Sequence, residues 1–201
     1  MNRLARLLGI TLLIGYVSNP ASASDQQPMK APQPWYYGLG IGLALPAYNA
    51  GNIANDFAAA NNTSSLSNDD FSFKLYGGYR LDPSLAVEFG ISELGTAIAT
   101  TSGISSKLFN SYDSFVNATM SRPYNDNATL FGKIGVHFWN IGPNTSTKLA
   151  EGTDLAVGAG VEFNLSGSSG RTMRIEWDRY LFDNIYIDTI DTLTLNLVFK
   201  I

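Results

Sequence analysis

His137 is the only histidine in this 201-residue chain, and there is no cysteine. An imidazole becomes catalytic when it activates a neighbouring hydroxyl or acid. The residues that follow it, Phe138, Trp139 and Asn140, offer no hydroxyl, and an indole cannot attack an ester. Glu151 is the next acidic residue downstream, but without a nucleophile it has nothing to assist. One His and no Cys cannot furnish a typical zinc site. Asn55-Asp56 and Asn68-Asp69-Asp70 are acidic runs in a polar stretch, better suited to a solvated loop than to calcium. Gly38-Leu39-Gly40-Ile41-Gly42 has nucleotide-loop spacing, yet no helix pattern follows it. The residue types point away from an enzyme and imply no metal and no cofactor.

Ion pairing is the chemistry that remains. Lys74, Arg80, Glu88, Lys133, Glu162, Arg174, Glu176 and Asp178 share alternation positions with Gly38, Gly40, Gly42, Gly78, Ala86, Gly90, Gly135, Ala156, Gly158 and Gly160. Four of the eight charges are basic and four acidic. An unpaired buried charge costs several kcal/mol, so a balanced set on a narrow inner face predicts an internal network of pairs. Such a network either plugs the interior or forms a charged constriction that passes ions. Eight strands leave room for side chains and little for solute, which favours the plug.

Strands must position these charges. Leu193 to Ile201 alternates large apolar with small or polar residues up to the last position, a period of two. A terminal strand is an open edge unless it pairs with the first strand and closes a barrel. Trp35 opens the first strand and Pro46 ends it. Phe71 to Leu81 and Leu85 to Ile91 flank an Asp82-Pro83-Ser84 turn. Weaker alternation marks Ser114 to Arg122. Leu130 to Phe138, Leu155 to Leu165 and Met173 to Trp177 follow, with turns at 123–127 and 166–170. The expectation is an all-β, eight-stranded antiparallel up-and-down transmembrane β-barrel. Its long outer loops would be 46–70, 95–112, 139–153 and 179–188.

Composition agrees with a membrane strand protein. Arg3 and Arg6 precede an apolar run from Leu7 to Val17, and Ala21-Ser22-Ala23 offers a cleavage site, the layout of a secretory signal peptide. The run is shorter than the roughly 20 residues of a spanning helix. The expected organisation is a signal peptide at 1–23, a periplasmic lead at 24–34 and a barrel at 35–201. Removing Arg3 and Arg6 leaves 11 basic against 17 acidic residues and takes the formal net charge from −4 to −6. That excludes nucleic acid as a partner, since phosphate binding needs a basic surface. Charged residues are only 15%, below the roughly 25% of soluble domains. A wall facing water would carry many Lys and Glu rather than glycines. Trp35, Tyr37, Tyr79, Phe138, Trp177 and Phe199 lie on the apolar face near strand ends, as interfacial girdles require. The apolar face therefore points to lipid.

Four segments carry a family resemblance: Trp35-Tyr36-Tyr37-Gly38; Gly77-Gly78-Tyr79-Arg80-Leu81-Asp82-Pro83 with Val87-Glu88-Phe89-Gly90; Gly158-Ala159-Gly160-Val161-Glu162-Phe163; and Arg174-Ile175-Glu176-Trp177. In order and spacing the chain resembles the transmembrane domain of OmpA-like outer-membrane proteins. The resemblance implies lumenal pairing of Glu88, Glu162, Arg174 and Glu176, with Lys133 at a basic family position. A further basic position falls near Thr119, and Lys74 substitutes for it from another strand. The family's peptidoglycan-binding domain has no counterpart here, so cell-wall tethering is not implied. The implied protein is a monomer in the outer membrane of a Gram-negative cell. It would contact lipid and lipopolysaccharide, use the barrel-assembly machinery during insertion, and meet an extracellular partner through its loops. His137-Phe138-Trp139-Asn140 is also similar to the His-aromatic-Ser-Asn segment of lipid A deacylases, but lacks the serine. Three functions follow in order: a structural and surface-contact barrel, a narrow ion-conducting pore, and an outer-leaflet lipid-modifying enzyme.

Overall fold

The structure, a computed structural model, describes residues 34–56, 65–66, 70–101, 104–142, 149–165 and 170–201. The expected signal peptide, most of the periplasmic lead, Asn68-Asp69 and most of the 166–170 turn lie outside these residues. Eight long strands follow one another: β1 (Trp35–Tyr48), β2 (Asp70–Arg80), β3 (Leu85–Thr101), β4 (Ile104–Pro123), β5 (Ala128–Gly142), β6 (Ala150–Asn164), β7 (Arg171–Leu181) and β8 (Ile187–Lys200). A two-residue strand, Ser65–Leu66, adds to β3 at Thr100 and Ala99.

Each strand pairs antiparallel with its neighbours in the chain, and β8 pairs with β1 from Tyr36↔Lys200 to Tyr48↔Ile187. The ladder is thus a closed eight-stranded up-and-down barrel. Closure leaves the apolar C-terminal strand without a free edge. The short connections are built by side chains that imitate backbone acceptors. Asp82 Oδ1 accepts from the Ser84 hydroxyl at 2.7 Å, from Ser84 N at 2.6 Å and from Leu85 N at 2.8 Å. Asn125 Oδ1 accepts from Asn127 N at 2.9 Å and Ala128 N at 2.8 Å.

Outward positions form an apolar belt: Leu39, Ile41 and Leu43 on β1, Phe73 and Leu75 on β2, Ile134 and Val136 on β5, Leu193 and Leu195 on β8. Such a belt would drive association in water; in hydrocarbon it is what a spanning strand requires. Aromatic contacts edge it at the short-turn end. Trp35 meets Tyr79 edge-on at 4.8 Å, and Tyr37 stacks on Phe199 at 5.0 Å. Towards the other end Arg179 lies over the Trp177 ring at 5.5 Å and pairs with Asp191 at 2.7 Å.

The strands are longer than the sequence pattern implies, and three expected loops shrink. Residues 95–112 are mostly strand, with only 102–103 between β3 and β4. The expected loop at 139–153 narrows to 143–149, and that at 179–188 to 182–186. Pro46 does not end β1, which continues to Tyr48. Beyond Ala44 this strand has a ladder partner on one side only among the described residues, where a missing N–H is tolerated. Part of 46–70 is helical, α1 (Ala50–Asp56). Asn49 caps it, its Oδ1 accepting from Asn52 N at 3.2 Å.

The physical reason is a change of surroundings along the strands. At the long-hairpin end the inward face becomes apolar. Leu94, Phe109, Ile141, Ile187 and Ile190 are buried together with Ile53 of α1. The outward face there no longer carries the membrane pattern. A bulge interrupts the β3–β4 ladder between Glu93 and Thr96. Gly95 supplies its φ of +95°, a region that disfavours side chains. Asp70 Oδ2 accepts from Thr96 N at 2.5 Å.

Ile41 stands midway along the outward apolar row of β1. Ile41→Arg is expected to lower stability by about 2–4 kcal/mol, measured by reversible denaturant unfolding in lipid vesicles. A second expectation concerns the β2–β3 turn. Hydrogen bonds from the Ser84 hydroxyl and from the Ser84 and Leu85 N–H groups hold the Asp82 carboxyl below the usual carboxylate range. A depressed folded-state value stabilises the turn above the unfolded value, and that contribution is lost as pH falls through the folded value. Amide exchange at Leu85 should therefore accelerate, beyond its intrinsic pH dependence, only below the ordinary carboxylate range. Asp82→Ala should show the fast exchange at every pH.

Candidate functional site

The interior is where the charges meet. On β7, Arg174, Glu176 and Asp178 occupy alternate positions and so share the inner face. Lys74 of β2 and Lys133 of β5 reach them from two other walls. Lys74 Nζ lies 2.5 Å from Glu176 Oε1 and also pairs with Asp178. Lys133 Nζ lies 2.6 Å from the same Glu176 oxygen and 2.7 Å from Asp178 Oδ1. Two lysines and two carboxylates thus form a compact, neutral, solvent-shielded group.

Arg174 links this group to a second. Its Nη1 donates to Glu88 Oε1 at 2.7 Å and its Nη2 to Glu162 Oε2 at 3.0 Å, while Glu176 Oε2 is 3.5 Å away. Its guanidinium lies 4.5 Å from the Phe131 ring centroid, an arrangement that suits the weakly hydrated arginine. The Tyr36 hydroxyl donates to Glu88 Oε1 at 2.7 Å. Towards the short-turn mouth, Lys200 Nζ lies 3.0 Å and Arg80 Nη2 3.7 Å from Glu162 Oε1. Lys74, Glu88, Lys133, Glu162, Arg174 and Glu176 are therefore joined in one chain of contacts, with Arg80 at its partly exposed end.

Small residues make room for this packing. A Cβ on Gly158 would stand 2.2 Å from Asp178 Oδ1 and 2.7 Å from Lys133 Cε, and one on Gly78 only 2.1 Å from the Tyr36 ring. Tyr36, Tyr76, Ala86, Phe115 and Val198 cluster against the charges, with Arg174 5.5 Å from the Tyr76 ring and Lys74 5.3 Å from the Phe115 ring, and a second apolar group lies under α1. Thr119 is buried among them and carries no charge. Lys200 and Tyr36 escape the sequence reading. Lys200 was legible in principle, because the alternation that sends Phe199 and Ile201 outward sends Lys200 inward. The phenol of Tyr36 carries no comparable signal, since an inward Tyr is as often packing as partner.

His137 sits higher, fully shielded, with Nε2 2.7 Å from the Leu181 carbonyl oxygen. Asp113 Oδ2 is 3.7 Å from its Nδ1. Glu151 stands opposite Asn140, three ladder positions from the His137↔Asp154 pair, and is exposed. The acid and the imidazole are therefore not brought together, and Trp139 donates its indole N–H to Asp154 at 2.7 Å. Among the described residues no group of three His, Cys, Asp or Glu side chains is placed to hold a metal ion.

A closed up-and-down barrel with an apolar outer belt and a charged, filled interior defines the class of outer-membrane β-barrels. Residues 9–200 match the family model of the outer membrane protein beta-barrel domain, and the chain belongs to that family. Outer-membrane localisation follows from membership. Solved barrels share the fold. Neisserial surface protein A aligns with a TM-score of 0.55 at 11% identity, over 83% of this chain and 97% of its own. The N-terminal β-barrel domain of Pseudomonas aeruginosa OprF gives 0.51 at 12%, over 84% and 99%. OprG from Pseudomonas aeruginosa gives 0.51 at 10%, over 85% and 98%. No curated protein matches the chain.

The lumenal network makes a stability prediction. Glu176 is the carboxylate that both lysines share. Glu176→Gln is expected to cost about 3–5 kcal/mol, because removing one member leaves buried charge uncompensated. Lys74→Met added to it should recover part of the loss. Unfolding midpoints of the three proteins in vesicles measure both effects.

Proposed function

We propose that this protein is a non-enzymatic, monomeric cell-surface barrel that acts structurally and through contacts at its outer end. The observation that carries this reading is the filled interior. Buried ion pairs and two packed clusters occupy the lumen, so the long-hairpin end is left as the extended polar surface for a partner. On this reading residues 1–23 are an export signal and 24–34 a periplasmic lead. The belt contacts lipid and lipopolysaccharide, insertion uses the barrel-assembly machinery, and the β3–β4 hairpin meets a neighbouring or host cell. Replacing 96–109 by a short turn should reduce cell adherence to the level of a strain lacking the gene. The heat-dependent gel shift of a folded barrel should remain.

A narrow ion-conducting pore is the second reading. Buried polar atoms of Asn117, Thr119, Thr192 and Asn196, without hydrogen-bond partners among the described residues, favour it, since such atoms mark room for water. Planar-bilayer recording separates the two. A silent membrane supports the plug; stepwise conductance that changes in Glu88→Gln supports the pore. Lipid A mass spectra with and without the gene should be identical, and a mass difference would restore the enzymatic reading.

A further inference from the structure

One pair of titratable groups in the upper lumen is not used by the ion-pair network. Asp113 of β4 and His137 of β5 face inward and are shut off from solvent. The Leu181 carbonyl, 2.7 Å from His137 Nε2, can only accept a hydrogen bond, so Nε2 carries hydrogen. The other nitrogen, Nδ1, faces Asp113 Oδ2 at 3.7 Å, and neither that nitrogen nor either Asp113 oxygen has a hydrogen-bond partner among the described residues. A neutral imidazole and an ionised carboxylate would set two lone-pair acceptors against each other in an enclosed space, an arrangement that burial penalises. One proton removes the conflict, whether it sits on nitrogen or on oxygen.

The neighbours do not supply that proton. Lys74 of β2 is engaged by Glu176 and Asp178 of β7. Asp154 of β6 accepts from the Trp139 indole and from Asp183 N. Ser92 of β3 stands beside Asp113 without completing a well-formed hydrogen bond. The Tyr180 phenol and the Phe182 ring meet the imidazole in T-shaped contacts, with centroids 5.2 and 5.1 Å away.

We infer that Asp113 and His137 together bind a single proton, and that this proton latches the outer end of the barrel. The latch runs through the backbone. His137 holds the carbonyl of Leu181, the last residue of β7. The segment that follows carries the Tyr186 carbonyl, which accepts from Asn49 N at 2.8 Å, and the Ile185 carbonyl, which accepts from the Asn52 amide at 2.7 Å. Those bonds seat α1, whose Ile53 side chain closes the apolar cluster. A second proton leaves Asp113 neutral and His137 positive, with Asp154, already engaged by the Trp139 indole and Asp183 N, as the nearby carboxylate. Admitting water relieves that charge, and water enters by loosening 182–186 and α1.

The single histidine makes the test direct. The full chain, labelled with 15N-imidazole histidine, is reconstituted in lipid nanodiscs. At neutral pH the expected spectrum shows Nε2 protonated, with an Nδ1 signal that moves in Asp113→Asn. Amide exchange at Asn49 and Phe182, corrected for intrinsic rates, should rise about tenfold or more from about pH 7.5 to about pH 4.5. In His137→Gln that rise should vanish, and in Asp113→Asn its midpoint should move. A neutral-pH tautomer with bare Nε2 and protonated Nδ1 overturns the inference, even if neither variant folds. So does an absent acid response in the native protein, or an equal one in both variants.

Discussion

Inside hydrocarbon every backbone N–H and C=O must find its partner within the protein, because no water is there to take its place. The β1–β8 pairing meets that requirement, and much else depends on it. It brings residues of the first and last strands, Tyr36 and Lys200, side by side. It places Lys200 where it reaches Glu162. It also turns an apolar terminal strand from an aggregation hazard into one stave among eight. Without closure the alternation of faces would have no inside, and the buried charges no common space.

Given an inside, its filling is constrained in turn. The charges are tolerable only because each has a counter-charge at contact distance, and contact is possible only where a neighbouring wall lacks a side chain. Gly158 and Gly78 are as much a part of the network as Lys133 and Glu88, since a single methyl at either would displace a charged group or a tyrosine ring. Buried pairs generally add little net stability over an apolar filling of the same volume. The network ties β2, β3, β5, β6 and β7 across the lumen, where the hydrogen-bonded ladder ties only neighbours.

The sequence showed much of this because, within the membrane, two solvents impose opposite demands on alternate residues. From Leu39 to Leu45 and from Leu193 to Phe199 the alternation is strict, and the lumenal face can be named residue by residue. The pattern becomes illegible after Glu93 on β3 and before Tyr112 on β4. There the outer solvent is water, the bulge at Gly95 shifts the phase, and the Ser, Thr and Ala composition resembles a loop. Asp113 was missed for a related reason. It lies just inside the stretch where the apolar partner residues that define a face give way to Ser111 and Asn110. Helix α1 is only seven residues long, too short for a helical period to stand out.

The apolar lining of the long-hairpin end bears on how the barrel enters the membrane. On the proposed orientation those hairpins are the parts that travel through the bilayer to reach the far side. A uniformly polar crossing segment would have to drag its full hydration cost through lipid. Leu94, Phe109, Ile141 and Ile187 give three of the four long hairpins a lipophilic inner side, which would lower that cost. In the folded barrel the same side chains pack against one another, so one set of residues could ease passage and also close the outer end.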